Sequence, residues 1–238
     1  MHARITPLGD RALVLELARR TGEIPPLRVH AACSHLAAAG LPGVIELVPA
    51  ATTLTVFYDP LALLKAGAPR GELAGWLTER VRERLAGLPA DDPPAATRIV
   101  EIPVCYGGEF GPDLENVATR TRCGVDEVVA LHRDADYVVL QLGFAPGFPY
   151  LHGLPDALRL PRRETPRTRV PAGSVAIANG QTCIYPTATA GGWHLLGRTP
   201  LRLFQPDREP PCLLQPGDRV KFHAITPEEF ARREEGES

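Results

Sequence analysis

Turn-forming residues recur every few positions between residues 141 and 200, and this pattern limits the folds open to the chain. A segment that only built a hydrophobic core would carry long periodic apolar runs, whereas here Gly and Pro interrupt every such run. Many short strands with frequent turns, and only two brief helices from residue 98 onward, are typical of a closed β-barrel. Aromatic residues and arginines are concentrated in the same stretch, so we expect the functional site there as well.

The 238 residues suffice for one large domain or two ordinary ones. Before the barrel, hydrophobic spacings follow the order strand, helix, strand, strand, helix, strand, which predicts a small α+β unit resembling a split βαβ sandwich. The predicted fold is an α+β N-terminal domain followed by a mainly-β barrel domain. We expect the first domain at 1–90, a Pro- and acid-rich linker at 91–97, the barrel at 98–226 and a charged tail that frays at 227–238. Within the barrel, residues 187–200 are predicted to form a hairpin.

Composition and charge exclude several classes of protein. The net charge of −2 argues against a general nucleic-acid binder, which carries a concentrated basic excess. No apolar run approaches the ~20 residues that span a bilayer, and the N-terminus lacks the layout of a secretory signal. Five cysteines are scattered without a C-x-x-C pair, so neither a zinc site nor a disulfide framework is indicated. We expect a cytoplasmic protein with no metal, no nucleic-acid partner and no contact with a membrane.

The segment GFAPGFPY, residues 143–150, is the first candidate for ligand contact. Its glycines permit backbone angles closed to other residues and its prolines restrict the rest, which predicts a rigid loop presenting aromatic side chains. These aromatics could instead plug the end of the barrel, and both roles are compatible because a barrel mouth is a common small-ligand site. The candidate substrate-binding residues are Phe144, Pro146, Phe148 and Trp193, with Arg198 and Thr199 at the end of a later strand.

Arginines are dense in the segment PRRETPRTRVPAG, which places four of them in eight residues: Arg162, Arg163, Arg167 and Arg169. The planar guanidinium suits bidentate recognition of a carboxylate, a phosphate or an amide oxygen. A solvated basic loop is the alternative interpretation of the segment. We select Arg167 as a candidate catalytic residue because Pro166 and the following strand hold it in place.

Alternation along the strand QTCIY places Gln181, Cys183 and Tyr185 on one face. A Gln on a strand built for burial needs partners for its amide, so it either closes a polar network or faces a ligand. Its amide both donates and accepts, which matches a planar amide or urea group. We therefore name Gln181 and Tyr185 as candidate catalytic residues and interpret Cys183 as a small buried hydrophobe.

His132 lies on the apolar face of a predicted helix, because Val125, Val128 and Val129 precede it at helical spacing. It is either a core histidine satisfied by a backbone carbonyl or a residue that supports the site from behind. No phosphate-binding loop, dinucleotide fingerprint, nucleophile elbow or zinc-protease motif occurs in the sequence. The chain therefore resembles one half of a divided site.

Three long segments, GFAPGFPYLHGL, PRRETPRTRVPAGSVAIANGQTCIYP and GGWHLLGRTP, closely resemble the KipI/allophanate hydrolase subunit 1 family. The likeness extends through LGDRALVLEL near the N-terminus and covers nearly the whole chain. Bacterial members of that family are described as the B subunit of ATP-dependent 5-oxoprolinase. The resemblance implies a cyclophilin-like barrel, the partner 5-oxoprolinase subunits C and A, and cleavage of 5-oxo-L-proline to L-glutamate.

The resemblance also implies that the steps of the reaction are distributed among the subunits. ATP is expected to be used by the complex and contacted by the partner subunits, so the chain alone should be inactive. As a hypothesis, Arg167, Gln181 and Tyr185 orient the substrate or an intermediate at the interface with the C subunit, while the aromatic residues wall it from water. Two alternatives stay open. The chain could be a carboxyltransferase-type subunit of a urea carboxylase/allophanate hydrolase system, or a non-enzymatic inhibitor of a sensor histidine kinase.

Overall fold

A computed structural model describes residues 3–19, 27–89 and 98–236. The predicted linker at 91–97 lies outside the described residues. The chain divides into two compact units, Met1–Ala96 and Thr97–Ser238. None of the described helices is long and apolar enough to cross a membrane.

Over its described residues, the first unit consists of a four-stranded antiparallel sheet with the strand order β1-β2-β4-β3 and three helices. Its elements are β1 (Arg4–Leu8), β2 (Ala12–Glu16), α1 (Arg28–Ala38), β3 (Val44–Pro49), β4 (Thr53–Tyr58), α2 (Pro60–Lys65) and α3 (Leu73–Ala86). Alternate residues of the central strands, such as Leu13 and Val56, are fully buried and share one core with Val29 of α1 and Val81 of α3. The α+β prediction is confirmed.

Two elements of this unit escaped the sequence analysis. Strand β1 is mostly exposed. Because neither of its faces is fully buried, its sequence does not show the alternation of apolar and polar residues that indicates a strand. Helix α2 is a single short segment with a local signal: the Asp59 side chain accepts a hydrogen bond from the Leu61 backbone, and Pro60 occupies the first turn.

The second unit contains a closed barrel with the strand order β10-β7-β6-β13-β5-β12-β9. The strands of this unit are β5 (Ile99–Tyr106), β6 (Tyr137–Leu142), β7 (Pro149–His152), β8 (Arg167–Val170), β9 (Ser174–Ala178), β10 (Gln181–Ile184), β11 (Thr189–Gly191), β12 (His194–Arg198) and β13 (Arg219–Ala224). Strands β8 and β11 form a separate two-stranded sheet. The helices are α4 (Leu114–Thr121), α5 (Val125–Asp134) and α6 (Pro227–Gly236), with a 3-10 turn at Asp156–Leu158. The predicted closed barrel is confirmed.

Three local expectations were wrong. Strand β5 was counted as the last strand of the α+β order, although it falls within the 98–226 range expected for the barrel, and it pairs with β13 and β12 in the barrel. The segment 187–200 is not a hairpin, because β11 pairs with β8 and β12 pairs with β9 and β5. The tail does not fray over its described part: α6 forms there because Phe230, 3% exposed, packs at 4.7 Å from the Phe110 ring.

The barrel wall separates two clusters of buried side chains. The larger cluster joins the strands to α4 and α5 and includes Ile177, Ile184 and Leu196. The next residues along the same strands, among them Ala176 and Cys183, belong to a smaller cluster. Because successive residues of a strand point to opposite faces, the two clusters lie on opposite sides of β9, β10 and β12. The smaller cluster carries the candidate site.

Candidate functional site

A cavity of about 250 Å³, here called the aromatic cavity, opens on the smaller cluster. Its side walls are aromatic: Phe144, Phe148, Tyr150, Tyr185 and Trp193. The Phe148 ring contacts each of the others edge-on or tilted, with centroid distances from 5.0 to 6.4 Å. Such contacts fix the orientation of the rings, so the cavity has a defined shape before any ligand enters.

The loop between β6 and β7 holds Phe144 at the mouth of this cavity. Phe144 has a φ of 67°, a left-handed conformation that is uncommon for a residue with a side chain, and it is 65% exposed. Backbone hydrogen bonds from Gly143 to the Phe148 carbonyl at 3.1 Å and from Phe148 to the Ala145 carbonyl at 3.0 Å close the loop on itself. Pro146 is exposed at its tip. The loop therefore presents a large aromatic side chain to solvent.

Tyr185 and Gly191 fit together at one side of the cavity. A Cβ atom at Gly191 would overlap the hydroxyl oxygen of Tyr185, so only glycine leaves room for this phenol. Burial raises the pKa of Tyr185, an effect that the neighbouring charge of Arg162 and a hydrogen bond from the Trp193 backbone partly oppose. Tyr185 is therefore a protonated phenol that can both donate and accept a hydrogen bond.

Arg162 supplies the positive charge of the aromatic cavity. Its guanidinium carbon lies 5.9 Å from the centroid of the Trp193 ring. Among the residues that the structure describes, no carboxylate forms a salt bridge with it. Arg162 belongs to the arginine-rich segment but was not among the residues predicted for the site.

Arg167 instead lies outside the cavity, against a buried carboxylate. It donates two hydrogen bonds of 2.8 Å to Asp113, one to each oxygen. Arg163 donates a third at 2.7 Å, and the Leu195 backbone N–H donates a fourth at 2.8 Å. These hydrogen bonds connect β8 and β12 to the start of α4. The guanidinium of Arg167, which was predicted to contact the substrate, is therefore already bound to Asp113.

Asp113 was missed by the sequence analysis. Although burial favours the neutral carboxyl, the hydrogen bonds from Arg167 and Leu195 and the charges of Arg167 and Arg163 hold the pKa of Asp113 below its usual value. The carboxylate is thus an ionised anchor whose side chain is 5% exposed. Its only local signal is its place after Gly111 and Pro112 at a helix start, which does not predict partners fifty residues away.

The remaining predicted residues lie apart from the aromatic cavity. Gln181 is half-buried at the start of β10, four residues or about 13 Å along the strand from Tyr185. Arg198 and Thr199 line a different cavity of about 520 Å³, together with Glu234 and Glu235 of α6. There, Arg198 donates a 2.8 Å hydrogen bond to the Ala172 carbonyl.

His132 is fully buried on the opposite side of the barrel wall. Thr182 donates from Oγ1 to the Ala176 carbonyl at 3.0 Å, so it accepts from His132 Nε2 at 3.0 Å. The other ring nitrogen, Nδ1, then accepts from the Tyr106 hydroxyl at 2.9 Å. Burial lowers the pKa of His132 to about 3, so it is a neutral core histidine that fixes Thr182 of β10. It can support the aromatic cavity only through that strand.

No group of three or more His, Cys, Asp or Glu side chains that could hold a metal ion occurs within the described ranges. Cys183, beneath the aromatic rings, has a pKa raised by burial, which disfavours the reactive thiolate. The aromatic cavity therefore offers binding surfaces, two phenols and one guanidinium, rather than a nucleophile.

The chain is similar over most of its length to a known family and to named proteins. The profile of the family described as "Carboxyltransferase domain, subdomain C and D" matches residues 3–214. A protein from Bacillus subtilis (strain 168), named as the B subunit of 5-oxoprolinase, is 46% identical over 229 residues, which cover 95% of each chain.

Solved structures agree on the fold. TTHA0988 is 40% identical with a TM-score of 0.74, and the aligned part covers 90% of this chain and 40% of that one. The urea amidolyase of K. lactis superimposes with a TM-score of 0.73 over 97% of this chain and 15% of its own, at 19% identity. At that identity the likeness concerns the fold alone.

Proposed function

Because the chain belongs to the carboxyltransferase-domain family and, within it, to the B subunits of 5-oxoprolinase, we propose that it acts with subunits A and C in the ATP-dependent cleavage of 5-oxo-L-proline to L-glutamate. The observation that carries this proposal is the 46% identity to a named B subunit over 95% of both chains. The aromatic cavity is its candidate site in this chain.

The chemistry suits a site divided between subunits. The amide of a five-membered lactam is stabilised by resonance, and phosphorylation of its carbonyl oxygen by ATP would activate it for attack by water. Such activation needs a phosphate-binding site, and the sequence carries no phosphate-binding loop motif. We therefore assign ATP to the partner subunits and expect this chain alone to be inactive.

Within that scheme this chain supplies one wall of the site. Tyr185 would orient the lactam through its hydroxyl, while Phe148 and Trp193 exclude water from the reacting group. Arg167 is a positioning residue that acts through Asp113, since its hydrogen bonds are already committed. Gln181 is too far along β10 to share a small ligand with Tyr185, and we leave it out of the proposed site.

The likeness to urea amidolyase extends to fold only, so it does not favour a role in urea carboxylation. The proposed function is tested by coexpressing the tagged chain with candidate A and C subunits and assaying the purified assembly with 5-oxoproline and, separately, with urea. We expect both partners to copurify, and we expect the assembly to consume ATP when 5-oxoproline is present but not when urea is present. Consumption with urea alone, or full activity of the isolated chain, would contradict the proposal.

A further inference from the structure

The aromatic cavity has the size and surface of a site for a small flat molecule. Its volume of about 250 Å³ lies just below the ~300–1,000 Å³ of cavities that hold drug-sized ligands. It equals the bulk volume of about eight water molecules. Gly191 and Gly192 line one side without side chains, and the Phe148 and Trp193 rings line another. A ligand that fills it is small and has flat faces.

The described residues that line this cavity include one positive charge and no negative charge. Arg162 is the one ionised side chain among the residues that the structure shows lining it. The neighbouring arginines differ, since Arg163 and Arg167 share the Asp113 carboxylate at 2.7 and 2.8 Å. The groups facing Arg162 are the phenols of Tyr150 and Tyr185 and the thiol of Cys183, and burial raises the pKa of each of them. These groups stay neutral, so the exposed guanidinium of Arg162 has solvent around it but no carboxylate partner among the described residues that line the cavity.

An anionic ligand would complete this arrangement in only one orientation. The planar guanidinium matches a carboxylate, with which it forms paired charge-assisted hydrogen bonds. The faces of aromatic rings carry partial negative charge and disfavour an anion, so they accept the uncharged part of the ligand. Such a ligand would place its carboxylate at Arg162 and its uncharged ring against Trp193 and Phe148, with a polar group directed to the Tyr185 hydroxyl.

We propose that Arg162 binds the carboxylate of a small cyclic acid in the aromatic cavity. Resting on the proposed function, this acid is 5-oxoproline, whose lactam then faces Tyr185. Arg162 is thus a specificity residue, because it favours binding of the acid over binding of its uncharged amide. Arg163 and Arg167 of the same segment instead bind Asp113.

The test compares steady-state cleavage of 5-oxoproline by the three-subunit assembly containing wild-type chain, Arg162→Gln, Arg162→Lys or Arg169→Gln. Arg162 and Arg169 are both exposed arginines of the same segment, but only Arg162 lines the aromatic cavity, so Arg169 serves as the matched control. Loss of a charge-assisted pair is expected to raise KM about tenfold or more in Arg162→Gln. The Lys variant should recover part of this loss, and Arg169→Gln should stay within about twofold of wild type. An unchanged KM in Arg162→Gln, or equal effects in Arg162→Gln and Arg169→Gln, would overturn the inference.

A binding measurement separates this inference from the proposed function. The full-length chain is titrated calorimetrically with 5-oxoproline and with its amide. If the assembly fails to cleave 5-oxoproline, the proposed function is wrong, but a preference of the chain for the acid that disappears in Arg162→Gln still supports the role of Arg162. Absence of binding, or equal affinity for acid and amide, in a chain whose assembly is also inactive would overturn it.

Discussion

Arg167 and Asp113 are joined by two parallel hydrogen bonds of 2.8 Å, each guanidinium nitrogen facing a different carboxylate oxygen. With Arg163 at 2.7 Å, this contact fixes the arginine-rich segment, including the start of β8, to the N-terminal end of α4. Asp113 therefore holds the elements around the aromatic cavity in place, and its removal should lower the stability of the fold markedly.

We expect Asp113→Ala to lower the free energy of unfolding by about 3 kcal/mol, because it leaves two partly buried guanidinium groups without their anion. Urea denaturation measures this change. Asp156→Ala is the matched control, since the Asp156–Arg159 pair is solvent-exposed on both sides and its loss should leave the midpoint nearly unchanged. Equal midpoints for the two variants would contradict the anchoring role of Asp113.

The same carboxylate predicts a dependence of stability on acid pH. The folded state holds the pKa of Asp113 below its usual value of about 3.9, so its contribution is present above that pH. The contribution is lost as the pH falls from about 4 through the lower folded pKa, because the unfolded chain then binds the proton first. Asp113→Asn should lack this component, and the difference in stability between wild type and variant should shrink on acidification. A difference that stays constant from pH 6 to pH 2.5 would refute this assignment.

His132 predicts a second pH dependence, in a higher window. Its folded pKa of about 3 lies below the ~6.5 of an unfolded histidine, so the unfolded chain gains a proton that the folded chain refuses. Wild-type stability should therefore fall by up to about 1.4 kcal/mol per pH unit between pH 6 and pH 4 relative to His132→Gln. Parallel stability profiles for the two proteins would show that His132 is not buried in its neutral form.

Part of this site could be predicted from the sequence and part could not. Alternation along β10 correctly separated Ile184 from Cys183 and Tyr185, because the period of two is a local property of a strand. The choice between Arg162 and Arg167 depended on Asp113, which is distant in sequence and meets the loop only in the folded barrel. Helix α6 likewise depends on the contact between Phe230 and Phe110, which are distant in sequence, so no local pattern predicts it.

Gly191 offers a steric test of the aromatic cavity. A methyl group there would overlap the Tyr185 hydroxyl and displace it or fill the cavity, so Gly191→Ala should reduce cleavage by the assembly at least about tenfold. Gly75→Ala is the control, because that position in α3 has open space around it and alanine favours a helix. Wild-type activity in Gly191→Ala would exclude the aromatic cavity as the site.

The most direct measurement is the rate of ATP-dependent glutamate release from 5-oxoproline by subunits A and C, with this chain omitted and then added back. We predict negligible release without it, release restored in proportion to the added chain up to stoichiometric amounts, and none from the chain alone. Release by A and C at the full rate in its absence would contradict the account.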